Sequence, residues 1–219
     1  EDNAHANVDI VTAHQATETV SLPDKTAFFW DSNTVLDLNT HYINYHPSKV
    51  LKCENYINVY TQPKNTALHE MHSELYANTL IYIPNDGNDY TFNQPIFDAS
   101  SSQNIYVWSM YSHTHQWGKD YDVWMRNPNN SKGTHVYDAS TMDGDPNGVQ
   151  IGYDYQHPPT RRWEYPFLAT PIDEGFIHEA VFNNTGPNDV MWGLTSDDEM
   201  MVFVLMYLDD TTGLGAGGS

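Results

Sequence analysis

Apolar and polar residues alternate along this chain in short runs separated by turn-forming clusters, the pattern of strands rather than helices. Residues 35–45 form the first such run, with Leu36, Leu38, Thr40 and Tyr42 on one face and Asp37, Asn39, His41 and Ile43 on the other. Residues 55–61 form a second, and the Pro- and Lys-bearing stretch between the two reads as the loop of a hairpin-like unit. Residues 78–83 run into Pro84-Asn85-Asp86-Gly87, a strong turn signal. In residues 105–115, Ile105, Val107, Ser109, Tyr111, His113 and His115 fall on one strand face, and residues 120–126, beyond Gly118, are predicted to be the hairpin partner. Further strands are expected at 149–155, 176–182 and 200–208, with turns at 127–133, 143–148 and 183–187.

Residues 1–25 are polar apart from one alternating piece at 17–22, and read as an arm or edge strand in which His5 and His14 are solvated. Many short strands without a long amphipathic helical period predict an all-β fold, an antiparallel β-sandwich of jelly-roll type. The expected organisation is an N-terminal arm or edge strand over 1–30, one domain over 31–209 and a Gly-rich flexible tail over 210–219. A chain of 219 residues is long enough to bury a substantial core.

Charge narrows the partners. Lys plus Arg number 9 against 29 Asp plus Glu, a net charge of −20 that repels nucleic acid and anionic membrane surfaces. The single cysteine, Cys53, excludes an internal disulfide, and no apolar run reaches the roughly 18 residues of a membrane-spanning helix. The chain begins with Glu1 and shows no signal peptide, as a mature or trimmed product would; scarce Lys and abundant Asn, Thr, Tyr and Asp suit a secreted, cell-surface or periplasmic β-protein.

Candidate chemistry centres on Tyr111-Ser112-His113-Thr114-His115-Gln116-Trp117-Gly118. Residues two apart on a strand lie about 6 to 7 Å from one another, at a rise of roughly 3.3 Å per residue, so two imidazoles can converge on one metal ion. The bland alternative is a pair of packed or surface histidines. A third ligand is offered by Met200, where the polar Thr195-Ser196-Asp197-Asp198-Glu199 turn drops into an apolar run. Thioether sulfur favours Cu(I) and imidazole accepts copper, so the set His, His, Met points to copper; the alternative for Met200 is ordinary core packing. Three other stretches have structural readings: His69 and His72 lack a helical period around them, Asp143 to Gly148 lacks the spacing of a calcium loop, and Arg161-Arg162 either positions an anion or braces a loop.

The His113-Thr114-His115 motif followed by Gly118, and far downstream Thr195-Ser196-Asp197-Asp198-Glu199-Met200 entering a strand with Met206 and Tyr207, resemble the C-terminal catalytic domain of the copper type II, ascorbate-dependent monooxygenases, which hydroxylate peptidylglycine and dopamine. The resemblance covers residues 35–208 and implies a jelly-roll fold, with copper held by His113, His115 and Met200 as the ion at which oxygen is activated. It also implies that His41 is the remnant of a second, electron-transfer copper site, whose other ligands come from an N-terminal domain that this chain is expected to lack. A partner domain or protein would then complete that site. The family's disulfide positions fall at Ala180 and Met201, where apolar packing is expected to substitute.

Two departures bear on activity. Where the family's peptide-processing members carry an arginine before the first histidine and an asparagine after the methionine, this chain has Tyr111 and Val202, so a carboxylate-ended glycine peptide is not the expected substrate. The expected function is a copper-binding domain resembling the oxygen-activating half of such a monooxygenase, one ion per chain, hydroxylating a C–H bond with ascorbate as reductant. The alternatives are a non-catalytic secreted jelly-roll module, a surface, adhesive or assembly protein that retains the fold with or without the metal site, and a cupin-like metal enzyme, for which the further glutamate and the second glycine- and histidine-bearing motif are not evident.

Overall fold

The computed structural model describes residues 19–36, 38, 42, 44, 46–63, 66–96, 104–171 and 173–209. Its strands begin with β1 (Thr26–Ala27), β2 (His69–Glu70), β3 (His72–Ala77), β4 (Tyr82–Ile83) and β5 (Asp89–Ile96). They continue with β6 (Asn104–His113), β7 (Gly118–Arg126), β8 (Lys132–Asp138) and β9 (Arg161–Arg162). The last are β10 (Leu168–Pro171), β11 (Phe176–Asn183), β12 (Val190–Met191) and β13 (Val202–Asp209). No helix occurs among the described residues, so none is long and apolar enough to cross a membrane.

Eight principal strands make two antiparallel sheets, one ordered β10-β6-β13-β3 with β9 added to β6, the other ordered β5-β11-β7-β8. In chain order the first of the eight pairs with the last (β3 with β13), the second with the seventh (β5 with β11), the third with the sixth (β6 with β10) and the fourth with the fifth (β7 with β8). The chain is therefore a long antiparallel hairpin folded over on itself, and the β6–β13 and β7–β11 ladders close it. Folding over brings two apolar faces together: Val107, Met110, Phe203 and Leu205 of one sheet meet Tyr121 and Phe182 of the other in a single core. Each such buried side chain contributes roughly 1.5–3 kcal/mol relative to exposure. The protein is an antiparallel β-sandwich.

The outer face of the first sheet is also covered, because Val20, Leu22, Phe28 and Phe167 pack on Met71, Tyr106, Trp108, Met206 and Leu208. Burial on both sides explains why β13 reads as a continuous apolar run rather than an alternation. Ala180 and Met201 both lie fully buried within the inter-sheet core.

Several predicted strands differ. The described residues of 35–45, namely Val35, Leu36, Leu38, Tyr42 and Asn44, are exposed and belong to no strand, and residues 55–61 are likewise exposed without a strand. Alternation meets the local requirement of a strand, but a ladder also needs a neighbour's N–H and C=O groups, and none pairs with them here. The predicted 78–83 strand shortens to β4, which pairs with β12, and 149–155 keeps only a bridge from Gln150 to Thr141. The predicted hairpin of β6 with β7 does not form: the two strands lie in different sheets, and residues 114–117 carry the chain from one to the other. His5, His14 and the 210–219 tail lie outside the described residues.

Candidate functional site

Strand β6 does not keep one face from end to end. In its ladder with β13, Met206 stands opposite Ser109 and Tyr207 opposite Val107, which leaves Trp108 as the extra residue of a β-bulge. An extra residue in a period of two reverses every side chain beyond it. Ile105 and Val107 accordingly point into the inter-sheet core, whereas Tyr111 points to the opposite face and packs with Val202 and Val204. The predicted common face of Ile105 through His115 is thus corrected: the alternation carries His113 outward with Tyr111.

His113 pairs with Val202, and the same register continued two residues past this last ladder pair sets His115 against Met200. Met200 packs against the Tyr111–Val202–Val204 cluster while Met201 turns into the core, so the two methionines face opposite ways. The His113 and His115 rings lie 5.2 Å apart between centroids and nearly perpendicular, at 82°. His115 Nδ1 is 2.9 Å from the carbonyl oxygen of Asp198. A carbonyl only accepts, so Nδ1 carries a proton, and in the neutral ring Nε2 is then the lone-pair atom, the arrangement that orients metal-ligating histidines.

Beneath these residues lies a carboxylate that the sequence pattern left inside a turn. Glu199 is fully buried, and its Oε1 accepts the backbone N–H groups of both His115 and Met200 (the latter at 2.8 Å), while Oε2 accepts that of Trp117 at 2.9 Å. Burial pushes its carboxyl up to about 7, against the opposing pull of those three donors. Its own backbone is held as well, by Glu199 N–H to Met191 O at 3.0 Å and Gly193 N–H to Glu199 O at 3.1 Å. The one signal in the sequence is an acidic residue at the threshold of an apolar strand.

Close packing shapes both loops. The hydroxyls of Thr114 and Tyr153 are hydrogen-bonded at 2.6 Å, and a Cβ on Gly118 would stand 2.1 Å from Thr114 Oγ1. Asp198 Oδ2 accepts the Thr195 hydroxyl at 2.7 Å and its N–H at 3.2 Å, which holds the Asp198 carboxyl below its ordinary range. A Cβ on Gly193 would fall 2.3 Å from the Asp198 carboxylate, so a side chain there would force Asp198 out of its present position.

The remaining candidates have other surroundings. His41 lies outside the described residues. His69 and His72 begin β2 and β3 rather than sharing a helix face, and His72 stacks on Tyr207 at 5.4 Å. Arg161 braces a loop, donating to Val136 O at 2.6 Å and pairing with Asp145 at 3.1 Å, which is the structural half of its alternative. Asp143 to Gly148 is a turn closed by Gly148 N–H to Asp145 O at 2.7 Å. Cys53 is exposed and unpaired with another cysteine.

On the other sheet, carboxylate oxygens of Asp120, Asp122 and Asp138 lie within 4.8 Å of one another. They are engaged by protein donors: Ser140 OH to Asp120, His135 Nε2 to Asp122, and Ser140 N–H and the Gln150 amide to Asp138.

No family model matches the chain, and no curated protein matches it. Among solved structures, dimeric latent PorU from Porphyromonas gingivalis is similar over 64% of this chain at 14% identity, with a TM-score of 0.21. The chain spans 13% of that protein's length.

Proposed function

We propose that this chain is a copper-binding sandwich domain in which His113, His115 and Met200 hold one ion, acting as the oxygen-activating half of a copper- and ascorbate-dependent monooxygenase. The observation that carries the reading is the adjacency of the two imidazoles at the end of β6 to the strand that begins beside Met200. The donor set fits the group. Two imidazole nitrogens bind either oxidation state and a thioether favours the reduced one, while the Asp198 carbonyl, accepting from Nδ1, leaves Nε2 of the neutral His115 ring as the donor atom toward a metal. Copper, when bound, supplies one-electron chemistry toward oxygen.

The protein's own part is to hold and shield. Tyr111 and Val202 are almost wholly buried beside the candidate ligands, and neither side chain can hold a substrate carboxylate as a guanidinium would. We take the substrate to present a C–H bond on a group other than a carboxylate-ended glycine peptide. The first-with-last, second-with-seventh order of strand pairing supports the jelly-roll type within the sandwich class. The reading also includes an exported location, on composition, and a partner domain or protein supplying electrons.

The test is metal analysis of the purified protein, followed by Cu(I) and Cu(II) titration of the wild type and of His113→Ala and His115→Ala. One copper per chain, lost in either variant, is expected; no stoichiometric copper, or copper indifferent to both substitutions, overturns the reading. Ascorbate-driven oxygen uptake by the loaded protein then marks an enzyme, and tight copper without it marks a non-catalytic module that has retained the metal site.

A further inference from the structure

We infer that Glu199 is the positioning residue of this site, the buried carboxylate that holds the His115 and Met200 backbones in one register. The inference rests on the copper reading above and assigns a role that the ligand set alone does not contain. β6 has ended at His113 and β13 does not begin until Val202, so His115 and Met200 stand beyond the last ladder pair. Something other than the sheet must hold the two backbones together there. Glu199 Oε1 accepts the N–H of both candidate ligand residues, and Oε2 takes the N–H of Trp117 in the same crossing loop. One side chain therefore replaces the missing rungs of the ladder.

The choice of a carboxylate follows from the donors. All three are backbone N–H groups, and a side chain of this length with two oxygens offers accepting lone pairs to donors on both sides. Full burial keeps water from competing for them. A shorter or non-accepting side chain would release His115 from Met200 even with every ligand still present. Partners outside the ligand set of a metal centre are typically worth about 10- to 100-fold in affinity, which sets the expected scale.

The asymmetry of the bonds makes the test specific. In Glu199→Gln the amide oxygen can occupy the Oε1 place and keep both bonds to His115 and Met200, leaving only Trp117 facing a donor. Glu199→Asp withdraws the carboxylate by one methylene and cannot reach both, and Glu199→Ala makes neither. Cu(I) affinity is measured by competition, and sulfur coordination by X-ray absorption of the Cu(I)-loaded protein, for the wild type and the three variants. Phe182→Leu, a core change on the other sheet, serves as the stability control. Expected are losses of about tenfold or more, with a weakened sulfur signal, in Asp and Ala, and near wild-type affinity and sulfur signal in Gln. Should Ala fail to fold, Asp against Gln decides. Wild-type affinity in a folded Asp or Ala variant overturns the positioning role while leaving the copper reading intact, as does an equal loss in Gln and Asp or in Phe182→Leu. Absence of copper binding by the wild type overturns the copper reading itself, and the positioning role with it.

Discussion

Val202 stands opposite His113 in the antiparallel ladder of β13 and β6, and both lie on the outward side of the first sheet with Tyr111. That pairing joins parts of the chain that are remote in sequence. It makes the reach of Met200 toward the imidazoles a matter of strand register rather than of loop placement, so the consequences of single substitutions can be stated.

Met200→Ala removes the soft donor and leaves both imidazoles. Cu(I) should bind about tenfold more weakly or worse, the scale on which metal centres respond to a lost contributor, while Cu(II) changes far less. Competition titrations with each oxidation state check this, and oxygen-dependent oxidation of ascorbate should fall in parallel. Equal Cu(I) affinity in the two proteins would remove Met200 from the site.

Deleting Trp108 should be far worse than replacing it. Without the bulge residue, either Tyr111 and His113 turn into the core or Ile105 and Val107 turn out of it, and the expected cost exceeds about 3 kcal/mol, enough to unfold a marginal domain. Trp108→Phe keeps the extra residue and should fold and bind copper, at a cost of about 1–2 kcal/mol for lost packing. Urea melts of both variants, with copper titration of the one that folds, decide the matter. A deletion variant with a wild-type melt and copper affinity would show that the bulge does not set the face of His113.

Gly118→Ala introduces a Cβ 2.1 Å from Thr114 Oγ1 and 3.1 Å from Tyr153 Cε1. Thr114 is fully buried and hydrogen-bonded to Tyr153, so it has nowhere to retreat. A loss of about 1–3 kcal/mol is expected, as for other overpacked sites, together with weaker copper because Thr114 lies between the two histidines. Denaturant melts and copper titration are the measurements, and an unperturbed melt would contradict the close approach.

His178 is buried between Tyr121, whose hydroxyl donates to Nδ1, and Gln94, whose Oε1 accepts from Nε2–H at 3.3 Å. Burial lowers its pKa from 6.5 to about 3, so the unfolded chain takes up a proton as pH falls below 6.5 while the folded chain does not. Its contribution to stability is complete above 6.5 and is lost progressively toward 3, at roughly 1.4 kcal/mol per pH unit. Glu199, raised to about 7, runs the other way in the same window, since its folded form gains the proton first and acidification favours it. The prediction is therefore a difference between two proteins. Between pH 6.5 and 5, stability of the wild type should fall by about 2 kcal/mol relative to His178→Gln, measured by urea unfolding at each pH. Parallel curves would mean that His178 protonates in place.

The class of fold was legible because period-two runs and turn clusters are local signals. Residues 176–182 and 200–208, predicted as strands, correspond to β11 and β13 to within two residues at each end. Residues 120–126, predicted as the hairpin partner of β6, do form a strand within β7 but in the other sheet: Gly118 announces a reversal, but whether the chain returns beside β6 or crosses over depends on which apolar face lies nearest in space. Residues 55–61 show the converse, a strand pattern that meets no ladder among the described residues.

By itself the sequence determined the β architecture, the His113-Thr114-His115 placement at a strand end and the Met200 entry to an apolar run, since each depends only on neighbours along the chain. Tertiary structure alone decided that Trp108 is a bulge, because β6 is buried on both faces and a reversal of phase leaves no mark in its hydrophobicity. It also decided the place of Glu199, an acidic residue that reads as part of a solvated turn until folding surrounds it with three backbone donors. Hydrogen bonds to the main chain carry no side-chain signature, so the residue that gathers them becomes visible only when the strands that supply them have come together.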